Sequence, residues 1–324
     1  MWLQVKEVLI VILAVLVGLS VVIELGLRSL FGFGNPLIYI QDQQIGYLLA
    51  PNQRTRRFGN CIEINEYSMR SAPINATTDG TLRILLLGDS IANGGWWTDQ
   101  HLTISSLLMT SLKSTNHYQQ VEVLNASANS WGPRNELAYL QSFGNFGAKV
   151  VILLINTDDL FATAPTSLPV GRDRNYPDRK PPSAIAEVLQ RYLLKQKPIP
   201  ELQAIHNEAG DRVGINLDAI GKIHNFTQAN NSQLLLVMTP LLREIGEPGP
   251  HDYEIKARQR LSDFAKAQQI TYIDFLLKFN STTHPQTLYQ DHIHMNVKGN
   301  RLVSEVIETS LLSMLGQANT QKSF

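Results

Sequence analysis

Two short stretches, far apart in the chain, carry residue types that together could make and break an ester. Residues 83–95 read Arg-Ile-Leu-Leu-Leu-Gly-Asp-Ser-Ile-Ala-Asn-Gly-Gly, an apolar run that stops abruptly at Gly88, Asp89 and Ser90. A serine hydroxyl is a poor nucleophile until a nearby base takes its proton, and that base needs a third group to hold its ring in the right tautomer. About two hundred residues later, 289–299 read Tyr-Gln-Asp-His-Ile-His-Met-Asn-Val-Lys-Gly. Asp291 and His294 are spaced so that, in a turn or first helical loop, the carboxylate reaches the ring nitrogen facing away from the serine. His292 projects differently and ranks below His294. A lone Gly-Asp-Ser is common in turns, so the chemistry of Ser90 depends on that distant pair.

Together these blocks resemble the first and last blocks of the GDSL/SGNH hydrolase superfamily, the tail Asp-x-x-His-Met-Asn-x-x-Gly especially. Residues 47–52 and 64–70 are similar to the lead-in of membrane-anchored members that act on envelope material. The resemblance covers roughly residues 44–316. It implies an ester-cleaving or acyl-transferring site with Ser90 as nucleophile, His294 as base and Asp291 as orienting acid, without metal or organic cofactor. It also implies an oxyanion hole built from the nucleophile's own amide, a second-block glycine and a third-block asparagine.

The middle blocks depart from that pattern. In 125–133, Asn-Ala-Ser-Ala-Asn-Ser-Trp-Gly-Pro, Ser130 stands at the glycine position and still offers a backbone N–H. In 154–160, Leu-Ile-Asn-Thr-Asp-Asp-Leu, Asp158 stands where the asparagine is expected, with Asn156 two residues before it. An ionised carboxylate beside an oxyanion would cost about 4 kcal/mol at 4 Å and an effective dielectric near 20, whereas one donor there is worth roughly 3 kcal/mol. Either Asn156 takes the role, or Asp158 is protonated, or the site does something other than ordinary ester hydrolysis. If 154–158 is strand throughout, Asn156 and Asp158 share a face and both point at the site.

The elements that must position these residues follow from periodicity. Strands are expected at 83–87, 121–124, 150–155, 233–238 and 270–274, with helical patterns at 101–112, 136–143, 184–194, 217–229, 253–267 and 297–315. Apolar runs alternating with helices give a three-layer α/β/α sandwich around a parallel sheet of about five strands, SGNH- or flavodoxin-like. Ser90 then lies beyond the carboxyl end of a strand, where open sheets bind ligands.

The chain has 324 residues, 44% of them hydrophobic and 17% charged, which is enough apolar material for a sizeable core. Its net charge of zero gives no electrostatic reason to expect nucleic acid. Cys61 is the only cysteine, so no internal disulfide forms. His101, His117, His206, His224, His251 and His284 show no metal-ligand spacing, and no metal site is expected. The Asn-x-Ser/Thr triplets, among them Asn75, are too easily met by chance to establish glycosylation.

Residues 8–27 are almost wholly apolar, long enough to cross about 30 Å of hydrocarbon, and lack the small-x-small site that ends a cleaved signal. The expected organisation is a membrane anchor over 1–31, a linker and lead-in packing on the domain over 32–80, the hydrolase domain over 81–316 with an insertion at 161–214, and a disordered tail over 317–324. Lys6 precedes the span and Arg28 follows it, a faint bias toward an extracytoplasmic domain. Arg54, Arg56 and Arg57 are candidates to touch lipid headgroups or an anionic substrate. In the insertion, Arg172 and Arg174 are candidate clamps for a carboxylate or sulfate, or they pair with neighbouring acids and tie the loop together. Trp96 and Trp97 are candidates to stack on a sugar or line an acyl pocket, or they cap the core. The function expected is a serine esterase or O-acyltransferase acting on acyl esters of envelope glycans. The alternative is an anchored, non-catalytic glycan-binding or assembly protein.

Overall fold

The computed structural model describes residues 2–74, 80–115 and 118–321; Asn75, His117 and the end of the tail, 322–324, lie outside the described residues. The chain opens with helix α1 (Trp2–Gly26), continued by a wider turn over Leu27–Phe31. Two antiparallel hairpins follow: β1 (Tyr39–Asp42) with β2 (Gly46–Leu49), and β3 (Gln53–Arg57) with β4 (Asn60–Ile64). The remaining elements are β5 (Thr81–Gly88), α2 (Ser90–Asn93), α3 (Ile104–Ser114), β6 (Gln120–Ser127), α4 (Pro133–Phe143), β7 (Val150–Asn156), α5 (Ala184–Val188), α6 (Pro200–His206), α7 (Arg212–Ala229), β8 (Gln233–Thr239), α8 (Asp252–Ala267), β9 (Thr271–Asp274), α9 (Leu276–Asn280) and α10 (Val297–Gln321).

Five parallel strands form the central sheet in the order β6-β5-β7-β8-β9. Every residue of β5 and β7 is buried, which is why both strands read as unbroken apolar runs rather than as alternation. Successive side chains leave opposite faces. Leu85, Leu87, Val151 and Leu153 pack with Tyr139, Leu140, Ile220, Ile223 and Leu261 from α4, α7 and α8 on one side. Ile84, Leu86, Ile152 and Leu154 pack with Leu108, Leu112, Val303, Ile307 and Leu311 from α3 and α10 on the other. This is the three-layer α/β/α sandwich.

Because β6 and β7 flank β5 on opposite sides, the strand order reverses at β5 and opens a crevice at the carboxyl ends. The segments leaving β5, β6 and β7 there carry Ser90, Ser130 and Asn156.

The lead-in folds as two hairpins that bury Tyr39, Tyr47, Leu49, Ile62 and Ile64 in the same core as β5 and β7. One expectation changes. The tail is helical to Gln321 as the end of α10, because the apolar face of that helix is docked on the sheet through Leu311 and Met314.

Among the described residues one helix, Gln4–Phe31, is long and apolar enough to cross a membrane by length and composition. It has 28 residues, a mean hydropathy of 3.0 over its most apolar window, and none of that window is buried.

Candidate active site

The turn after β5 is cramped. A Cβ on Gly88 would lie 2.7 Å from both the Ala92 Cβ and the Leu154 carbonyl oxygen, so only glycine lets the chain reverse against β7. Asp89 caps α2 by accepting from the Ile91 amide at 2.8 Å, and Ser90 becomes the first residue of that helix. At the other end of the chain, the segment bearing the base is pinned before α10. Tyr289 and Met295 form an antiparallel bridge, Asn296 Nδ2 donates to the Thr287 and Tyr289 carbonyls at 2.8 and 3.1 Å, and the Tyr289 hydroxyl donates to the Pro240 carbonyl at 2.6 Å.

These two supports bring Ser90, His294 and Asp291 into one line. Ser90 Oγ lies 2.9 Å from His294 Nε2, and His294 Nδ1 lies 2.8 Å from Asp291 Oδ2. The other carboxylate oxygen, Oδ1, accepts from the His294 and Ile293 amides at 2.7 and 2.9 Å. Partial burial works against ionisation of Asp291, but these bonds prevail and hold its carboxyl below the usual range. His292 is exposed and only its backbone carbonyl is engaged, by the Leu242 amide at 3.0 Å. A base oriented by a carboxylate and placed on a serine can take the hydroxyl proton as the oxygen attacks a carbonyl.

A cavity of about 320 Å³ opens over Ser90 and His294. Trp96, Trp97, Asn129, Ser130, Tyr176 and Phe58 are among its walls. Trp97 lies against the His294 ring with centroids 4.3 Å apart, while Trp96 meets Phe58 at 5.3 Å. Ser130 has φ +58°, the left-handed region that favours glycine, so the backbone at this position keeps the shape a glycine would take. Its Oγ accepts from the Tyr176 hydroxyl at 2.9 Å, and its amide, like that of Ser90, has no protein partner among the described residues.

The third block is built differently from what the sequence suggests. Strand β7 ends at Asn156, and Thr157–Phe161 is a 3-10 turn. Asn156 and Asp158 therefore do not share a face: Asp158 is exposed, away from the Ser90 cavity. Asn156 points inward, where its Nδ2 donates to Asp89 Oδ2 and Asp159 Oδ2, each at 2.9 Å. Its Oδ1 accepts from the Asp158 amide at 2.8 Å. With its amide hydrogens committed to two carboxyls, Asn156 supports Asp89 from behind instead of facing a substrate.

Arg172 and Arg174 are also elsewhere. Arg172 pairs with Glu201 at 2.8 Å, and Arg174 bonds Gln196 Oε1 and the Leu194 carbonyl, both at 3.0 Å, as well as the Arg191 carbonyl. They tie the insertion to itself, since the proline-rich chain leaves many carbonyls that no helix or sheet satisfies. What the insertion does bring to the cavity is Tyr176, Arg191 and Tyr192.

Several residues at the site were given no role by the sequence. Arg70 is buried and gathers the loop after Ser90, donating to the Asn93, Gly95 and Thr98 carbonyls at 2.5, 2.6 and 2.5 Å. Burial lowers its guanidinium to about 9. Asp89, Asp159 and Glu136 form a buried acidic group behind the nucleophile. Burial raises all three carboxyls above their ordinary range, Asp159 and Glu136 strongly, and Asp89 adds repulsion to both. Among the described residues no group of three or more His, Cys, Asp or Glu side chains could hold a metal ion.

With this geometry in place, one comparison decides the family. Residues 86–302, more than half of the chain, match the GDSL-like Lipase/Acylhydrolase family. The chain belongs to that family. A GDSL-like lipase/acylhydrolase is an esterase-type hydrolase, and the matched span runs from β5 through α10, taking in all three residues of the Ser90–His294–Asp291 line.

Solved structures similar to this GDSL-like chain include the acetyl xylan esterase AlAXEase at 15% identity and a TM-score of 0.48, covering 70% of this chain and 98% of that one. TesA is similar at 16% identity and a TM-score of 0.46, covering 71% and 97%. The acetylxylan esterase Axe2 of Geobacillus stearothermophilus is similar at 15% and 0.46, covering 69% and 91%. No curated protein matches the sequence significantly.

Proposed function

We propose that the protein is a membrane-anchored serine esterase or O-acyltransferase whose domain lies outside the cytosol and whose substrates are acyl esters of envelope glycans. The observation that carries the catalytic part is the 2.9 Å contact between Ser90 Oγ and His294 Nε2, with Asp291 at 2.8 Å on the far nitrogen. His294 takes the Ser90 proton as Oγ adds to the ester carbonyl carbon. The tetrahedral intermediate then collapses, the alkoxide leaves with the proton held by His294, and the acyl group stays on Oγ. Water, or a hydroxyl of a glycan acceptor, gives its proton to His294, attacks the acyl-enzyme and frees Ser90. In this reading the amides of Ser90 and Ser130 receive the oxyanion, and no cofactor takes part in these steps.

Trp96, Trp97, Phe58 and Tyr176 give the cavity an aromatic wall suited to a sugar ring or a short acyl chain. The anchor reading rests on Gln4–Phe31, a 28-residue helix of mean hydropathy 3.0 over its most apolar window, none of which is buried.

Labelling with a fluorophosphonate probe tests the catalytic role. Ser90 is modified in the wild type, and Ser90→Ala abolishes labelling. Asp291→Asn lowers turnover by about 10³–10⁴-fold, since the ring then loses its orienting acceptor. An unlabelled Ser90 in folded protein would leave only glycan binding. Mass spectrometry of products with and without a glycan acceptor separates hydrolysis from transfer.

A further inference from the structure

The cavity over Ser90 reaches the base of the N-terminal helix. Phe33, two residues past the end of that helix at Phe31, lines the same cavity as Ser90 and His294. Its position is fixed: the Arg57 guanidinium carbon sits 4.4 Å over its ring, and Arg57 forms a buried ion pair with Glu187 at 2.5 Å. The Gly34 amide donates to the other Glu187 oxygen at 2.6 Å. Higher up the helix, Glu24 accepts from the Ala184 and Ile185 amides at 2.8 and 3.0 Å. The insertion is therefore docked on the helix end, with no flexible joint between them.

These contacts set a height. Twenty residues rising about 1.5 Å each fill about 30 Å of hydrocarbon, so the apolar run over 8–27 reaches the membrane edge within one helical turn of Glu24. The start of α5 is bonded to Glu24. The segment that follows, Leu189–Leu193, is turned outward. Leu189, Tyr192, Leu193 and Leu194 are all exposed, Leu193 to 71%, and the Tyr192 ring lies 6.2 Å from that of Phe33. Beside them Arg179, Lys180, Lys195 and Lys197 line a second hollow. These four are exposed and outside any ion pair among the described residues, and they outnumber Asp173 and Asp178 in the same wall. An aromatic and three leucines flanked by lysines is the composition of a segment lying in a lipid interface.

We infer that residues 179–197 seat on an anionic membrane surface and hold the mouth of the Ser90 cavity at headgroup level, so that the enzyme takes its acyl ester from a membrane-borne amphiphile. The occupant of this surface is the bilayer itself, whose span is continuous with it through Glu24 and Phe33. The inference rests on the anchored-esterase reading and narrows its substrates to esters presented at the membrane.

The test uses the full chain in nanodiscs containing phosphatidylglycerol and brominated lipid. In a Cys61→Ser background a fluorophore is placed on cysteine at one of three positions: Val15 in the span, Leu193 on the seating surface, or Leu277, which is exposed on α9. Bromolipid quenches the label at 15 and at 193 and leaves that at 277 bright. Quenching at 15 without quenching at 193 overturns the inference while the anchor stands; no quenching at 15 removes the anchor reading itself.

The second arm substitutes Leu193→Glu together with Leu194→Glu. Hydrolysis of a long-chain ester embedded in the disc falls by at least about tenfold, as charge lifts the surface from the lipid, while cleavage of water-soluble p-nitrophenyl acetate and labelling of Ser90 are unchanged. Equal rates on both esters, or an equal loss on both, overturn the inference. Absence of any Ser90 labelling would sink the esterase reading alone, and the quenching pattern would still decide the surface.

Discussion

Trp97 packs on His294: their ring centroids are 4.3 Å apart, at an interplanar angle of 49°. A Cβ on Gly95 would lie 2.4 Å from the far edge of the same indole, and Gly95 has φ +46°. The tryptophan thus has one place to go, between the glycine and the imidazole. Trp97→Ala should lower turnover by about tenfold, the worth of one aromatic contact of about 1.4 kcal/mol, with a smaller effect for Trp97→Phe. Gly95→Ala should mimic the loss by displacing the indole. Steady-state rates on a soluble ester check both; an unchanged rate in Trp97→Ala would show that Asp291 alone fixes the ring.

The two third-block residues should separate cleanly. Asp158→Asn changes an exposed side chain away from the cavity and should leave ester cleavage within about twofold, as surface substitutions usually do. Asn156→Ala strips the shared side-chain donor from Asp89 and Asp159, which keep the Ser90 hydroxyl and the residue-156 amide respectively, at a cost of about 1 kcal/mol in stability for the lost bonds, and slows turnover through the misplaced Asp89. Denaturation midpoints and rates measured together check this: a kinetic loss with no stability loss would return Asn156 to the oxyanion hole.

Ser130→Gly should retain activity, because the amide and the left-handed backbone are both preserved. If the Ser130 hydroxyl rather than its amide serves the substrate, kcat will fall while stability holds.

Arg70→Met should be strongly destabilising, by about 3 kcal/mol, since three loop carbonyls lose their donor and are buried. Thermal unfolding shows the drop, and turnover should fall further than stability predicts, because the loop carrying Trp96 and Trp97 is released.

Glu136 offers a pH test. Both of its carboxylate oxygens are buried without a hydrogen-bond partner, and burial, with Asp89 adding repulsion, raises its pKa well above 4.5. A raised carboxyl stays neutral in the folded protein while it ionises in the unfolded chain. Its contribution is therefore fully present below pH 4.5 and is lost as pH climbs toward the folded value, at about 1.4 kcal/mol per pH unit. Glu136→Gln should be close to wild type in acid and more stable at pH 8. Parallel melting curves across the pH range would refute this.

The sheet was legible because β5, β7 and β8 are buried on both faces and must read as apolar runs. The Ser90–His294–Asp291 line was legible because its residues sit in two compact blocks. Asp158 was misplaced because β7 stops one residue before the 3-10 turn, and a backbone that leaves the strand period cancels any argument from shared faces. The role of Arg70 could not be found from sequence: beside Gln100 Oε1 its partners are three main-chain carbonyls, and main-chain carbonyls have no residue type. Tyr176 and Phe33 were equally silent, since an aromatic on a loop signals packing or a pocket wall with the same letter. The turn at Phe58 and Gly59, both at positive φ, was marked only by its glycine, yet it brings Phe58 to the cavity mouth.

The Glu187 carboxylate, held at once by Arg57, Arg191 and the Gly34 amide, leaves no seam at which the apolar N-terminal helix can be divided from the esterase domain. A chain trimmed at residue 31 keeps Phe33 but loses Glu24, the acceptor for the first turn of α5; one trimmed at residue 35 loses part of the cavity wall as well. Soluble versions made in the usual way would then report the kinetics of a widened cleft, and poor selectivity measured on them would describe the truncation rather than the enzyme.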